Sequence, residues 1–322
     1  MKAVVYERYG APEVLRIEDV PIPTPGPGQV LVRVAATAIN LSDWETLLGT
    51  PAYARIGGLR APRRRTLGSD IAGRVDAVGD GVTAFKPGDD VYGDNLGLKG
   101  GFAEYAVAPA SALAVKPTGL SFVDASCIPQ AGPIALQGTA GAKHGSRVLI
   151  NGAGGGSGSF AIQLAKRLGA HVTGVDNAAK LEFMRSLGAD AVIDYREEDF
   201  TRRGQRYDLI LDLIAYRAMS SYRRALAKGG HYRCVGGTAR ALLRALTVGF
   251  VTGRATGRRM GVLAVNAGPA YFEPLANLAV AGEVAIHIDR TFDLDDVPAA
   301  LALVGKGHAL GKVVVTVDGA SF

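Results

Sequence analysis

The stretch that decides the fold runs from Val148 to Asp176 and reads VLINGAGGGSGSFAIQLAKRLGAHVTGVD. It opens with a short apolar run, which is typical of a buried parallel strand. After the glycines, apolar residues recur with helical spacing from Ala161 to Leu168. A second apolar run then ends in the carboxylate of Asp176. The stretch therefore predicts a strand, a glycine-rich turn, a helix and a second strand.

The glycine-rich turn predicts a dinucleotide site. Gly155 leaves room for a pyrophosphate, and Gly158 lets the helix pack close to the strand. The N–H groups at the start of the helix would face the phosphates. The strict G-x-G-x-x-G pattern is not met, because Ala153 takes the first glycine place, and a flexible Gly/Ser loop is the alternative. Asp176 follows at about the expected distance. The predicted contacts here are Gly152, Ala153, Gly155, Gly156, Gly158 and Asp176.

The composition is that of a globular chain. At 322 residues, 48% hydrophobic and 20% charged, the chain is long enough for two domains. It contains no run of about 18 apolar residues that could span a membrane. The first residues lack the apolar region of a signal peptide. We therefore expect a cytoplasmic protein with a small-molecule substrate and no membrane partner.

Charge and cysteine content exclude several other classes. The net charge is +6, with short arginine clusters at 63–65 and 254–259. These clusters are far apart and have no interleaved aromatic residues, so we predict no nucleic-acid partner. Cys127 and Cys234 stand alone without C-x-x-C spacing, which argues against a disulfide framework or a four-cysteine zinc site. We expect both cysteines in the core.

The predicted secondary structure changes along the length of the chain. Residues 1–122 read as short β-strands between Pro/Gly turns, whereas strands and helices alternate from about 147. The tail returns to β texture, with a strand predicted at 284–289. The predicted fold class is therefore α/β: a β-barrel domain formed by 1–122 with 284–322, and a doubly wound parallel sheet over 123–283. The loosest segment, 241–261, suggests a lid or the contact of a homodimer.

Several barrel motifs resemble the medium-chain dehydrogenase/reductase superfamily. The Asn40-Leu-Ser-Asp43 stretch matches its N-x-x-D segment, and 67–91 matches its long barrel signature. Gly101-Phe-Ala-Glu-Tyr105 and the segment 307–314 match flanking landmarks. The resemblance covers essentially the whole chain. It implies a GroES-like β-barrel catalytic domain and a Rossmann domain that binds NADP(H) or NAD(H).

The departures from the family pattern indicate the branch. Zinc alcohol dehydrogenases of this superfamily carry a cysteine ligand in the region held here by Asn40 to Asp43. They also carry Gly-His-Glu where this chain has Gly68-Ser69-Asp70. A catalytic zinc needs three protein ligands of such kinds. The chain therefore resembles the zinc-independent quinone oxidoreductase and enoyl reductase branch, and we predict no metal site.

Without a metal, hydride transfer suits a substrate that stabilises its own negative charge. A quinone or an α,β-unsaturated carbonyl spreads that charge onto oxygen, so the protein need only orient the cofactor and offer hydrogen bonds. The sequence thus predicts an NAD(P)H-dependent quinone or enone oxidoreductase. Two alternatives stay open: a zinc-free alcohol or aldehyde dehydrogenase, and a non-catalytic, crystallin-like cofactor-binding protein.

The resemblance also implies catalytic candidates. Asn40 matches a family asparagine near the nicotinamide, where its amide would position the ribose or donate to the substrate oxygen; a loop asparagine bonded within its own turn is the alternative. Asp43 is a catalytic candidate that could instead only hold the loop. Tyr53 resembles the proton-donating tyrosine of enoyl reductases, although its spacing differs. Gly236 and Gly237 end a predicted strand, where open α/β sheets bind ligands.

The residues that would set the choice of coenzyme favour two different answers. Asp176 could accept hydrogen bonds from both adenosine ribose hydroxyls, which favours NAD(H). Lys180 and Tyr195 resemble the phosphate-side contacts of the branch, which commonly uses NADPH. Both coenzymes are therefore expected to bind. The resemblance adds Lys312 as a further cofactor contact.

Overall fold

A computed structural model describes residues 1–56 and 58–317. Its strands are β1 (Lys2–Val5), β2 (Arg16–Asp19), β3 (Gln29–Ala38), β4 (Asp70–Val78), β5 (Asp90–Asp94), β6 (Tyr105–Pro109), β7 (Leu113–Val115), β8 (Arg147–Asn151), β9 (His171–Asp176), β10 (Ala191–Asp194), β11 (Tyr207–Asp212), β12 (Leu226–Cys234), β13 (Arg259–Val262), β14 (Ile288–Asp293) and β15 (Lys312–Thr316). Its α-helices are α1 (Leu41–Leu48), α2 (Phe122–Ser126), α3 (Ala131–Thr139), α4 (Gly156–Arg167), α5 (Leu181–Ser186), α6 (Met219–Ala225), α7 (Ala239–Arg244), α8 (Phe250–Ala255), α9 (Pro269–Val280) and α10 (Val297–Gly305). A π-helical turn over Ala245–Gly249 joins α7 to α8. The chain divides into two compact units, one of residues 1–132 with 267 onward and one of residues 133–266.

The first unit contains the β-rich domain predicted from the sequence. Its main sheet has the order β14-β15-β3-β4-β5-β7, and β6 also pairs with β3. Apolar residues alternate along β3, and Val30, Val32 and Val34 are fully buried in the core of this unit. The period of two places one face of the strand against that core. β1 and β2 form a separate hairpin-like pair.

Helix α1 is held at both ends by local chemistry. Asn40 is its N-cap, and the backbone N–H of Asn40 donates to a carboxylate oxygen of Asp43 at 3.0 Å. The helix ends at Gly49, whose φ of 64° is readily adopted by glycine. Trp44 packs so closely on α10 that a Cβ atom on Gly305 would lie 2.0 Å from the indole ring. Trp44 is therefore a packing residue of this unit.

The second unit is a doubly wound parallel sheet. Its strand order is β10-β9-β8-β11-β12-β13. The chain builds the sheet outward from β8 in one direction and then outward from β11 in the other. All recorded pairings within it are parallel. This is the strand order of dinucleotide-binding Rossmann folds, in which ligands bind beyond the carboxyl ends of the strands. The predicted α/β fold class is thus confirmed.

Two features differ from the sequence predictions, namely the domain boundaries and the position of the tail strand. Residues 123–132 and 267–283 belong to the first unit, because α2 packs on β3 and β4, and Phe272 of α9 contacts Tyr92 with ring centroids 4.9 Å apart. The tail strand predicted at 284–289 lies at Ile288–Asp293, where it pairs with β15. The segment 241–261 is mostly helical and continues into β13. No helix among the described residues is long and apolar enough to cross a membrane.

Candidate functional site

The glycine-rich turn joins the carboxyl end of β8 to α4. Gly152 has a φ of 85°, a conformation that favours glycine. A Cβ atom on Gly158 would lie 2.4 Å from the carbonyl oxygen of Gly152, so only glycine permits this close packing of helix and turn. At Gly155, by contrast, the nearest atom to an added Cβ would be 3.6 Å away. This space, with the N-terminus of the 12-residue α4 beginning at Gly156, fits the pyrophosphate of a dinucleotide.

Asp176 at the end of β9 holds the same turn together. One carboxylate oxygen accepts the N–H of Gly154 at 3.0 Å, and the other accepts the N–H of Asn177 at 2.9 Å. The ammonium of Lys180 lies 3.7 Å from the first oxygen. The stem of Lys180 covers Gly154, since a Cβ there would meet it at 2.6 Å. Asp176 and Lys180 thus form a nearly buried pair beside the glycine turn.

The structure places Tyr195 next to this pair. Tyr195 follows β10, and its backbone N–H donates to the carbonyl of Asp176 at 3.1 Å. The residue is 39% exposed, and the guanidinium of Arg196 lies 5.6 Å from the centroid of its ring. Asp176, Lys180 and Tyr195 are therefore neighbours, and their contact with the coenzyme stays a prediction. Sequence analysis missed Arg196, although its position directly after Tyr195 was a signal for a second cation.

The ends of β8, β11 and β12 form the remaining part of this edge. Gly236 follows β12, and a Cβ atom there would lie 2.6 Å from the carbonyl oxygen of Leu213. Gly237 has a φ of 124°. Beneath them, the fully buried Asp212 accepts hydrogen bonds from Asn151 Nδ2 at 2.8 Å and from the Tyr232 hydroxyl at 2.9 Å. Asp212 was not predicted, although a carboxylate that ends an apolar strand could have indicated it.

In the first unit, three segments bring polar side chains into one buried network. Asn40 Nδ2 donates to Asp70 Oδ2 at 2.9 Å, and Lys312 Nζ donates to Asn40 Oδ1 at 2.8 Å. Lys312 Nζ also lies 3.6 Å from Asp70 Oδ2. Asp70 is fully buried and Lys312 is 2% exposed. Lys312 was predicted as a cofactor contact, whereas here its ammonium is enclosed by Asn40 and Asp70.

These partners determine which way the Asn40 amide faces. An ammonium only donates hydrogen bonds and a carboxylate only accepts them. The amide oxygen must therefore face Lys312, and one N–H must face Asp70. The other N–H points toward the hydroxyl of Ser69, 3.4 Å from Asn40 Nδ2. This long contact leaves that N–H weakly engaged, so it is the polar hydrogen that Asn40 can offer to a ligand.

The same region contains further buried charges. The Lys99 ammonium lies 3.6 Å from Asp43, which is fully buried and caps Asn40. Burial raises the pKa of Asp70 well above its ordinary value, against the opposing effect of Lys312. Burial likewise raises the pKa of Asp94, its strand partner, to about 6. The fold thus brings Asn40, Asp43 and Lys312 together. The same cluster of polar side chains contains Asp70 and Lys99, to which sequence analysis assigned no role.

Tyr53 forms a pair of its own with Glu45. Its hydroxyl lies 3.2 Å from one oxygen of the Glu45 carboxylate. Burial raises the pKa of Glu45, and the hydrogen bond from Tyr53 opposes that rise. Sequence analysis did not predict Glu45. Its contact with Tyr53 depends on how the chain turns after α1, which the sequence does not show.

The two cysteines lie in the core, as predicted. Both are fully buried, and Cys127 packs against Ala36, Ala38 and Val314. Burial raises the pKa of each thiol to about 12, so both stay protonated at neutral pH. Among the described residues, no group of three or more His, Cys, Asp or Glu side chains could hold a metal ion.

Comparison with known proteins gives consistent matches to both halves of the chain. Residues 26–118 match the alcohol dehydrogenase GroES-like domain, and residues 187–315 match the zinc-binding dehydrogenase family. The chain is 32% identical to the 2-methylene-furan-3-one reductase of Solanum lycopersicum, over 98% of this chain and 79% of that protein. It is 31% identical to a chloroplastic quinone oxidoreductase of Triphysaria versicolor, over 98% of each. The solved quinone oxidoreductase from Coxiella burnetii superposes with a TM-score of 0.88 at 30% identity, covering 98% of this chain and 99% of that one.

The fold, the glycine turn and these matches define the class of protein. The chain belongs to the medium-chain dehydrogenase/reductase superfamily of oxidoreductases, in its quinone oxidoreductase branch. The family and the fold class inferred from the barrel motifs and the nucleotide turn are thereby confirmed.

Proposed function

We propose that the chain reduces quinones or α,β-unsaturated carbonyl compounds with NADH or NADPH, without a metal ion. Its relatives include a quinone oxidoreductase and a reductase of an unsaturated furanone, which supports this substrate class. When bound, the reduced nicotinamide supplies a hydride. The substrate accepts the hydride at a conjugated carbon, carries the negative charge on oxygen, and then takes up one proton.

The observation that carries the proposal is the buried ammonium of Lys312 beside Asp70. By resemblance, Asp70 stands where zinc dehydrogenases have the glutamate of their Gly-His-Glu triplet. Here a fixed positive charge lies 3.6 Å from that carboxylate. Like charges repel strongly in a buried setting, so Lys312 opposes a divalent cation at this position. A substrate that delocalises its own charge has no need of one.

Asn40 is the proposed contact to the substrate oxygen or the ribose. Lys312 and Asp70 are positioning residues, because they fix the amide so that its weakly engaged N–H is available. A preorganised donor of this kind stabilises developing negative charge without reorganising. We expect Asn40→Ala to lower kcat/KM by roughly 10²-fold. Ser69→Ala is the matched control, since it keeps the amide orientation, and it should change kcat/KM much less.

Tyr53 is the proposed proton donor. Its hydroxyl is held by Glu45, which keeps the proton-bearing oxygen in one place. Tyr53→Phe should lower turnover by about 10²–10⁴-fold if this hydroxyl supplies the proton. Unchanged turnover in Tyr53→Phe would assign the proton to solvent and leave Tyr53 a purely structural role.

The glycine turn, Asp176, Lys180 and Tyr195 are the proposed dinucleotide-binding residues, together with Gly236 and Gly237. The pairing of Asp176 with Lys180 supports binding of both coenzymes, because each charge offsets the other. Arg196 beside Tyr195 is a further cation near this position. We propose a selectivity between NADH and NADPH below roughly 100-fold, which is about 2.7 kcal/mol.

The deciding experiment is a steady-state acceptor panel with both coenzymes in the presence of an excess of chelator. Quinones and enones should be reduced, simple ketones should not, and elemental analysis should find no stoichiometric zinc. One zinc per chain that is required for turnover would overturn the metal-free mechanism. Reduction of simple ketones alone would indicate an aldehyde or alcohol dehydrogenase. Dinucleotide binding without turnover of any acceptor would indicate a non-catalytic protein.

We also propose a cytoplasmic location for the protein, and cell fractionation tests it.

A further inference from the structure

The helical segment from Ala239 to Ala255, made of α7, the π-helical turn and α8, has an inverted pattern of burial. It buries small residues at four-residue spacing, namely Ala241, Ala245, Gly249 and Gly253. It exposes its large apolar side chains, namely Leu243 (62%), Leu246 (60%), Val248 (49%), Phe250 (61%) and Val251 (65%). A surface helix normally turns its large apolar residues toward the core.

Close backbone packing prevents the segment from rolling over to bury these side chains. A Cβ atom on Gly253 would lie 3.0 Å from the carbonyl oxygen of Arg258 and 3.1 Å from the backbone nitrogen of Met260. A Cβ atom on Gly249 would lie 3.3 Å from the sulfur of Met219. Thr238 caps the start of the segment by accepting the N–H of Ala241. The small-residue side is therefore fitted to β13 and its surroundings, and the large apolar side faces outward.

The stretch of sequence that contains this segment carries charge of one sign only. Residues 213–272 contain no Asp or Glu, although they contain ten basic residues: Arg217, Arg223, Arg224, Lys228, Arg233, Arg240, Arg244, Arg254, Arg258 and Arg259. The net charge of the whole chain is only +6. In the described part of the chain, none of the five arginines between 240 and 259 has a carboxylate as an ion-pair partner.

We propose that this basic–apolar face, formed by the five exposed apolar residues and the arginines at 240, 244 and 254 of the same segment, binds the surface of an anionic lipid bilayer. A helix with large apolar residues on one side and arginines beside them lies in the interface plane, with its apolar side chains at the boundary of headgroups and acyl chains. Arginines near the surface gain from the negative potential of anionic headgroups.

The charge distribution favours this occupant over a second copy of the chain. A two-fold interface brings the same patch of each copy together, so arginines of one copy would meet those of the other. Such like-charge contacts disfavour association. A nucleic acid would satisfy the arginines but would leave Leu243, Leu246 and Phe250 without a role. An anionic bilayer satisfies both the charged and the apolar side chains.

This proposal revises the sequence-level expectation of no membrane partner. That expectation rested on the absence of a segment that could span a bilayer. A helix that lies on a bilayer needs no such segment, because it inserts side chains rather than its whole length. The proposed contact does not depend on the proposed reductase activity.

The test is flotation of the full-length protein with vesicles of equimolar phosphatidylcholine and phosphatidylglycerol, compared with pure phosphatidylcholine. The protein should float with the anionic vesicles, bind neutral vesicles at least about 10-fold more weakly, and lose binding as salt is raised. Equal, salt-independent binding to both vesicle types would overturn the proposal.

Paired variants separate the two parts of the face. Arg240→Gln with Arg254→Gln should weaken binding to anionic vesicles about 30-fold, which is about fivefold for each charge removed. The control with the same loss of charge is Arg63→Gln with Arg64→Gln, which should bind as the wild type does. If both pairs weaken binding equally, general basicity rather than this face is responsible.

The apolar part needs its own variant and control. Phe250→Ser with Val251→Ser should weaken vesicle binding at least about 10-fold, while the exposed pair Ile22→Ser and Val115→Ser should not. Circular dichroism and the Tm of each variant verify that the fold is intact. Two other results would overturn the proposal. If the wild type sediments as a dimer and the Phe250→Ser, Val251→Ser variant as a monomer, the face binds a second copy. If the protein binds RNA tightly and the same variant binds it equally well, the face binds nucleic acid.

Discussion

The glycine turn of the second unit and the polar network of the first unit are each built on a carboxylate and a lysine. Asp176 and Lys180 lie within one turn of chain, and the carboxylate also accepts two backbone N–H groups. Asp70 and Lys312 are distant in the sequence, and among the described residues Asp70 Oδ1 has no hydrogen-bond partner. The first pair completes a locally encoded turn, whereas the second exists only because the sheet of the first unit brings β4 and β15 together.

The difference has an energetic consequence. A carboxylate with backbone donors stays satisfied when its lysine is removed, because the N–H groups remain. A fully buried carboxylate that relies on one ammonium and one amide is left with an uncompensated charge. The Asp70–Lys312 pair should therefore be far more sensitive to the loss of its lysine than the Asp176–Lys180 pair.

The largest expected effect is that of Lys312→Met. Removing the ammonium should cost roughly 3–5 kcal/mol of unfolding free energy, because Asp70 and Asn40 lose their buried partner. Denaturant unfolding measures this free energy. The matched control, Lys180→Met, should lose well under half as much unfolding free energy. The double variant Lys312→Met with Asp70→Asn should recover much of the stability. Equal losses for both lysines would break the contrast between the two pairs.

The next effect separates packing from binding within the glycine turn. Gly158→Ala should destabilise the protein by about 1–3 kcal/mol, because the new methyl group meets backbone atoms at 2.4 Å. Gly155→Ala should leave the Tm nearly unchanged, since its methyl group would meet no protein atom closer than an ordinary contact distance of 3.6 Å, but it should weaken dinucleotide binding at least about 10-fold. Calorimetric titration with NADPH and thermal unfolding give both quantities. Full binding by Gly155→Ala would show that the pyrophosphate lies elsewhere.

A smaller effect concerns the coenzyme. Asp176→Ser should shift the ratio of kcat/KM values toward NADPH by about 10-fold, since a carboxylate repels a 2′-phosphate. Lys180→Ala should shift the ratio toward NADH by a similar factor. If Asp176→Ser leaves the ratio untouched, Asp176 only closes the glycine turn and does not face the ribose.

The smallest effect is a dependence of stability on pH. Because burial raises the pKa of Asp70 in the folded state, the folded protein binds a proton more tightly there than the unfolded chain does. Its contribution is therefore fully present below about pH 4 and is lost as the pH rises through the folded pKa. Since Lys312 offsets part of the burial effect, we expect a fall in Tm of only about 3–6 °C between pH 5 and 9. Asp70→Asn should flatten this slope, and an unchanged slope would assign it to other groups.

The nucleotide half of the molecule could be predicted largely from sequence. Its strands, its glycine turn and Asp176 follow one another along the chain, so hydrophobic periodicity and spacing report their arrangement directly. The family was inferred on similar grounds, from motifs such as Asn40 to Asp43 that are short and contiguous. The boundaries at 132 and 266 were not predictable, because they depend on the packing of α2 and α9 rather than on local texture.

The contacts and burial of the side chains within those motifs depend on the assembled structure. The motif around Asn40 was recognisable, but the sequence carries no signal that Asn40 and Lys312, 272 positions apart, share a hydrogen bond. It showed that 241–261 is apolar and arginine-rich, while only the packing against β13 decides which of those side chains face outward. The physical reason is the same in both cases. Local patterns report backbone propensity and periodicity, whereas burial and the pairing of distant charges are set when the sheets assemble.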